Sequence, residues 1–234
     1  MLRRDSRLPR SRDFQHDFWH FHPLVRTEID GNRHYIGADG NAYPSVTTTI
    51  GQRTDKSGLV KWQNSIGQEA ADRIRIQAAN RGTAIHAIAE AYLLNHIDYP
   101  AKTMPVNKMT FNGIKSVLDE RIGIIHAIEA PLYSARLHTA GQTDCIATFD
   151  DVLSVVDFKT SRKLKQESYI QNYFIQATCY ATMAEELTGQ KIPQIAIIIA
   201  VDDEPAQVFV KQKEDYMDAM LTIFDGTSPF KNNG

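Results

Sequence analysis

The chain has 234 residues, of which 42% are hydrophobic, and a formal net charge of −2. This length and composition fit one domain with a sizeable core, and the charge excludes a strongly basic protein that coats duplex DNA. No apolar run approaches the ~18–20 residues that a membrane-spanning helix needs. Two cysteines are too few for a disulfide framework or a four-cysteine iron–sulfur cluster. We therefore expect a reducing compartment, such as the cytoplasm.

Residues 1–24 show no regular pattern and are expected to form an irregular basic arm. Five arginines stand against the single acid Asp5 within the first twelve residues: Arg3, Arg4, Arg7, Arg10 and Arg12. Three interpretations remain open, namely a disordered arm that contacts nucleic acid, an organelle-targeting segment and a solvated tail. The rest of the chain, 25–234, is predicted to form one domain.

The first half of that domain is predicted to be mainly helical. Asp39-Gly40 predicts the turn of a hairpin over 33–50. Apolar residues at helical spacing then predict helices over 59–79, 83–94 and 109–122. One stripe of the first helix contains Trp62, Ile66, Ala70 and Ile74.

The second half alternates strands and helices. We expect a strand within 127–137, two hairpin strands around Asp150-Asp151, and a helix over 166–187 that ends at Gly189. Strands over 192–201 and 206–211 and a helix over 214–224 follow. This order predicts a mixed α/β fold, with a mixed central sheet flanked by helices in three layers and a helical N-terminal extension.

Three charged side chains are predicted to share one face of the hairpin. If Asp150 and Asp151 form its loop, Asp144 lies directly across from Asp157, and Lys159 shares a face with Asp157 because side chains alternate along a strand. Facing carboxylates repel unless a cation lies between them. Oxygen ligands favour Mg²⁺, with Mn²⁺ as a substitute. On this pattern alone, a metal site and an ordinary surface hairpin both remain open.

The same residues resemble a known motif. Gly141-x-x-Asp144 followed by Asp157-x-Lys159 is similar to the core of the PD-(D/E)xK nucleases, in particular the RecB-like branch, although Thr143 stands where that core often has proline. Other segments resemble this branch, or its mitochondrial genome maintenance exonucleases and their bacteriophage relatives, in the expected order: Tyr43 to Thr47, Trp62, Arg81 to His86, Glu129, and Gln176 to Tyr180.

The resemblance implies a role for each group of residues. The metal ligands would be His86, Glu129, Asp144, Asp157 and the backbone carbonyl of Phe158. Lys159 would be the catalytic base partner, favouring hydroxide at the attacking water and stabilising charge on the phosphate; an ion pair with Asp157 that only offsets its burial is the alternative, and both can hold at once. Gln176 and Tyr180 would lie beside the site and hold the substrate or the lysine. Phosphate contacts are expected from a group of hydroxyls and cations: Thr160, Ser161, Arg162, Lys163, Lys165 and Arg81, with Lys61 a weaker candidate. Two residues remain open, since Glu90 either orients His86 or has no role, and Tyr173 either stacks on a base or fills the core.

The implied activity is a Mg²⁺-dependent DNA exonuclease that hydrolyses single strands or strand ends in replication, recombination or repair. We expect a monomer that binds DNA and no membrane, with replication or recombination proteins as further partners. The bacteriophage and mitochondrial relatives imply the cytoplasm, a host's if the chain is viral, with the mitochondrion as the alternative. The alternatives are an endonuclease of the same superfamily, a non-cleaving nucleic-acid-binding subunit and a zinc hydrolase.

Overall fold

The computed structural model describes residues 7–224. Arg3 and Arg4 of the predicted basic arm lie outside this range. Within it, no helix has both the length and the apolar character needed to cross a bilayer. The strands and helices have the following bounds: β1 Val25–Ile29, β2 Asn32–Ile36, β3 Ala42–Pro44, α1 Val46–Arg53, α2 Ser57–Ile66, α3 Gln68–Leu93, α4 Pro105–Arg121, β4 Ile122–Ser134, β5 Thr139–Phe149, β6 Val152–Ser161, α5 Gln171–Thr188, β7 Gln194–Val201, β8 Gln207–Gln212 and α6 Met217–Phe224.

A five-stranded mixed sheet, in the order β4-β5-β6-β7-β8, forms the middle layer. Strands β6 and β7 pair in parallel and the other neighbours are antiparallel. Helices α1, α5 and α6 cover one face, where the core includes Phe174 and Ile197. Helices α3 and α4 cover the other, where it includes Phe111 and Ile198. The predicted fold class, a three-layer α/β core with a mixed sheet, is confirmed.

The β5–β6 hairpin has the predicted turn and register. Asp150 and Asp151 have φ of 51° and 63°, and two positive φ values give the turn a twist that matches its strands. Cys145 pairs with Val156 and Phe149 pairs with Val152. This register, continued by one residue, sets Asp144 across from Asp157.

Strand β4 carries two irregularities that shift its register on β5. Ile122 pairs with Phe149, but Ala127 pairs with Ile146 after two shifts on either side of Ile125. Without them, the first pairing would continue with Ala127 opposite Asp144. Two shifts restore the original face of the strand, so that Glu129 lies opposite Asp144 instead.

Residues 7–24 run over the surface without a helix or named strand. Leu8 and Phe14 are nonetheless buried, and Arg10 donates to the carbonyl of His96 at 2.6 Å. Further along, Trp19 N donates to His126 O at 2.8 Å on the outer edge of β4. The described part of this segment therefore covers a sheet edge that would otherwise expose backbone groups.

The structure differs from the predicted elements in the N-terminal half of the chain. The predicted strand beyond Pro44 is the helix α1, because Ser45 caps it by accepting from Thr48 N at 3.1 Å. The helices predicted over 59–79 and 83–94 are instead α2 and α3, which are separated at Gly67, whose φ is 83°. Strand β1, which pairs with β2, was not predicted.

Gly123, at the start of β4, provides a test of the shifted register. A Cβ there would lie 2.2 Å from Thr148 Oγ1, which accepts from Ile124 N at 2.9 Å. Gly123→Ala should therefore break this bond and lower the free energy of unfolding by about 1 kcal/mol, measured by urea denaturation. Gly113→Ala in α4 is the control: its Cβ would make only an ordinary van der Waals contact, 3.9 Å from Glu204 O, so the same substitution should stabilise by roughly 0.5–1 kcal/mol. Equal effects at both positions would contradict this account.

Candidate metal centre

Three carboxylates lie in one row across neighbouring strands. Ile128 pairs with Cys145 and Ala130 with Thr143, so Glu129 lies between these pairs, opposite Asp144. The hairpin register continues the row to Asp157, which pairs on its other side with Ile197 of β7. Strand pairing thus brings three acids together at the centre of the sheet, where repulsion between them is strong.

His86, from α3, meets the middle acid of the row. Its Nδ1 lies 3.1 Å from Asp144 Oδ1, and the other carboxylate oxygen accepts from Phe158 N at 2.7 Å. The His86 ring contacts the Phe158 ring edge to face, with centroids 6.4 Å apart. Asp144 is therefore buried, bonded at both oxygens and fixed in orientation.

Lys159 offsets the negative charge of the third acid, Asp157. Its ammonium forms an ion pair with Asp157, which is only 2% exposed. The same ammonium lies 5.2 Å from the centroid of the Tyr173 ring, a distance at which the ring face attracts a cation. The sequence allowed Tyr173 to be a base-stacking or a core residue, and neither interpretation includes this cation–π contact with Lys159.

The structure groups three of the four predicted side-chain ligands around one point. Ligand atoms of His86, Glu129 and Asp144 lie within 4.8 Å of one another, the one such group in residues 7–224. Two carboxylates and an imidazole suit a divalent cation of hard or intermediate character. Asp157 lies beside this group in the row but is engaged by Lys159. The peptide of Phe158 adjoins the group through its N–H; ligation by its carbonyl stays a prediction.

The pKa values show an excess of negative charge. Burial, and then the charge of Asp144, raises the pKa of Glu129 to about 7. Burial also raises the pKa of Asp157, although Lys159 opposes this shift. For His86, burial favours the neutral ring, but the hydrogen bond and charge of Asp144 outweigh it and raise the pKa to about 9. A bound cation would replace the protons that these groups otherwise hold.

Helix α5 approaches the row from the opposite face. The Tyr180 ring packs on Gly141, where a Cβ would lie 2.8 Å from Tyr180 Cε1. Gln176 Nε2 is 3.5 Å from the Tyr180 hydroxyl, and both side chains are buried. Gly141 is thus required by the close approach of the tyrosine, and Gln176 and Tyr180 lie together as their helical spacing predicts.

Several predicted phosphate contacts have protein partners. Arg81 Nη1 pairs with Asp202 at 2.7 Å, and Arg162 donates to Gln77 at 2.7 Å. The backbone of Lys165 bonds the Gln207 side chain in both directions. Ser161 Oγ donates to Lys163 O at 2.6 Å and is buried. Their roles stay predictions, as does that of the half-buried Thr160, whereas Lys61 is exposed on α2.

An open depression of 560 Å³ leads to the three-ligand group. His86, Glu90 and Glu129 line it together with Gly82 and Thr83. The charge of Glu90 also contributes to the raised pKa of Glu129. Sequence reasoning did not identify the depression, and Glu129 itself, with φ of 49° in the middle of a strand, carries no sequence signal of that conformation.

Asp144→Asn tests the coupling between His86 and the row in protein stripped of divalent ions by a chelator. With the carboxylate removed, burial dominates, and the His86 pKa should fall from about 9 to its ordinary 6.5 or below. Because the folded pKa lies above the unfolded one, this contact stabilises fully below pH 6.5, and the stabilisation is lost as the pH rises through about 9. Histidine NMR titration measures the shift. Asp151→Asn, in the exposed hairpin turn, should leave it unchanged; a His86 pKa that stays near 9 in Asp144→Asn contradicts the assignment.

Comparisons with known proteins add a partial likeness. No family model matches the chain. It is 27% identical over 139 residues to mitochondrial genome maintenance exonuclease 1 of Xenopus tropicalis, which covers 56% of this chain and 39% of that protein. The chain thus matches well under half the length of this curated relative. A "putative exonuclease" from Eubacterium rectale superposes with a TM-score of 0.37 at 13% identity over 64% of this chain and 68% of that one. The crystal structure of SSO0001 superposes with a TM-score of 0.35 at 16% identity, over 80% of this chain and 78% of that one. Superpositions this loose carry no argument about activity, so the sequence similarity to one exonuclease is the finding that bears on function.

Proposed function

We propose that this chain is a metal-dependent deoxyribonuclease of the PD-(D/E)xK superfamily, RecB-like branch, which hydrolyses phosphodiester bonds. The observation that carries the proposal is the carboxylate row of Glu129, Asp144 and Asp157, with Lys159 two residues beyond its end on the same strand face. The partial likeness to an exonuclease supports it. The order of the further motifs, from His86 to Tyr180, supports it as well.

The residues of the row fit a divalent metal ion. His86, Glu129 and Asp144 would hold it, and Asp157 would join them when its carboxylate turns from the lysine. Burial of this much negative charge is costly without a cation. Bound Mg²⁺, or Mn²⁺ in its place, supplies Lewis acidity toward the phosphate and lowers the pKa of water.

Lys159 supplies the positive charge on the other side of the reacting phosphate. Burial opposes its charged form, but Asp157 and Asp144 outweigh this and raise the Lys159 pKa, so it stays an ammonium at neutral pH. An ammonium cannot accept a proton from water. Lys159 therefore stabilises the charge that develops on the phosphate oxygens and orients the attacking water by donating to it.

The surrounding residues hold this arrangement and the substrate. Tyr173 and Asp157 fix the lysine, and Tyr180 with Gln176 closes the site from α5. Thr160 and Ser161 continue β6 past Lys159, and Lys163 and Lys165 follow in the loop, where their charges suit the next phosphates of the strand. Arg81 is paired with Asp202, and Arg162 donates to Gln77. These two arginines would therefore position the loop rather than contact phosphate directly.

The proposed substrate is single-stranded DNA or strand ends. The chain would act on it as an exonuclease in replication, recombination or repair. The support for this assignment is the name of the partly matching relative and the motif order. The second candidate, an endonuclease of the same superfamily, uses the same residues and differs in needing no strand end. We expect a monomer in either case.

Lys159→Ala should retain DNA binding and lose cleavage by on the order of 10²–10⁴-fold, because charge stabilisation is lost while the metal ligands remain. Asp157→Asn should lose Mn²⁺ affinity as well, which isothermal titration measures. Cleavage of an end-labelled strand in Mg²⁺ gives the rates. Lys191→Ala removes an exposed lysine after α5 and serves as the control. A wild-type rate in Lys159→Ala refutes the catalytic assignment, and a wild-type protein that binds DNA without cutting it indicates a binding subunit.

Linear and circular single strands of the same sequence separate the two candidates. An exonuclease should degrade the linear strand in Mg²⁺ and leave the circle intact. The products are separated on a denaturing gel, beside Asp157→Asn to exclude contaminating nucleases. Linearisation of the circle at a rate similar to that of linear-strand cleavage would favour the endonuclease.

A further inference from the structure

A second concave site lies next to the candidate metal centre. We call it the aromatic pocket; it has a volume of 330 Å³, and its walls include Phe18, Trp19, Phe21, Ile128, Pro131 and Glu90. Small-ligand sites begin at about this size and are mostly apolar with a few polar groups. Nothing in the catalytic proposal uses the three aromatic residues.

The aromatic wall is held rigidly against the sheet. Trp19 N donates to His126 O at 2.8 Å, and the Trp19 ring stacks on the His126 ring with centroids 4.8 Å apart. Phe18 stacks on His16 at 4.7 Å, and His16 Nε2 contacts Leu93 O at 2.8 Å. Even so, Phe18 is 52% exposed. The pocket therefore presents an aromatic ring that is held in place and is open to a ligand from solvent.

The aromatic pocket and the metal centre are contiguous. Glu90 lines both the aromatic pocket and the depression that leads to His86. On the sheet side, Glu129 belongs to the metal centre, whereas its neighbours Ile128 and Ala130 line the aromatic pocket. A nucleotide whose phosphate lies at the centre therefore has this pocket within reach of its base.

The charge of the walls determines what they accept. Among the described residues that line the aromatic pocket there is no lysine or arginine, and its ionisable side chains are Glu90 and His20. Such walls offer phosphate no cluster of fixed positive charge. They favour a flat ring that stacks on aromatic side chains and donates a hydrogen bond to a carboxylate.

We propose that the aromatic pocket binds one unstacked base of single-stranded DNA while the adjoining phosphate lies at the metal centre, and that Glu90 accepts from the exocyclic amine of that base. This proposal rests on the proposed function and extends it to the substrate. It makes Phe18 a base-stacking residue. It also gives a preference at one position for adenine, cytosine or guanine over thymine, which has no exocyclic amine.

The test measures binding of short fluorescent single strands by anisotropy, with Ca²⁺ replacing Mg²⁺ and a gel to verify that the strand stays intact. A single abasic site is moved along the strand. For the wild-type protein, one position should lower the affinity by roughly 5- to 100-fold, the effect of losing one stacked base. Thymine at that position should bind more weakly than adenine or cytosine.

Two variants and a control assign the effect to the pocket. Phe18→Ala and Phe18→Leu should weaken binding of the intact strand by a similar factor and remove most of the abasic effect, since both changes delete one interaction. Phe18→Leu keeps an apolar side chain, so it distinguishes stacking from simple apolar contact. Glu90→Ala should abolish the discrimination against thymine. Leu187→Ala removes an exposed apolar side chain eleven residues beyond Gln176 on α5, about 16 Å along the helix, and should bind normally. The melting temperature of each variant verifies folding.

The outcomes separate the two proposals. The base pocket is refuted if the affinity does not depend on the position of the abasic site, or if both Phe18 variants bind with wild-type affinity. Either result refutes it even if the protein cleaves DNA. A position-dependent scan that requires Phe18, in a protein that does not cleave in Mg²⁺, supports the pocket and refutes the nuclease. Tight binding of a methyl-lysine peptide with no abasic effect would instead identify the aromatic pocket as a cation site.

Discussion

Mutual repulsion among three carboxylates at the middle of the sheet is the constraint on which the rest of the structure depends. Strand pairing places Glu129, Asp144 and Asp157 side by side, and each ion loses several kcal/mol of hydration on burial. His86, at the middle acid Asp144, and Lys159, at Asp157, offset part of this cost. The raised pKa of Glu129 shows that the compensation is incomplete. A divalent cation would complete it.

The scaffold around the row keeps it in place. Two register shifts in β4 bring Glu129 rather than Ala127 opposite Asp144, and the segment before β1 pairs with the edge of the same strand. On the far face, the missing side chain of Gly141 lets the Tyr180 ring lie against the row. The two register shifts in β4 and the missing side chain at Gly141 therefore help to align the charged groups.

The site is divided into regions of different chemistry. The proposed ligands His86, Glu129 and Asp144 lie on one side of Asp157 and the ammonium of Lys159 on the other. With a divalent cation held by these ligands, a phosphate between them would meet positive charge from both sides. Beyond Glu90, the walls become aromatic and contain neither lysine nor arginine. This change from charged to aromatic surface would match the division of a nucleotide into phosphate and base.

Local sequence determined the parts of the molecule whose geometry is local. Asp150 and Asp151 tolerate the positive φ of a tight turn, and alternation then sets Asp144 across from Asp157; Gly189 ends α5 for a similar reason. The motif resemblance named His86 and Glu129 as ligands, but only the tertiary structure decided which acid each one meets and that Glu129 lies opposite Asp144. These outcomes depend on packing between distant segments and on bulges, which a local sequence pattern does not express.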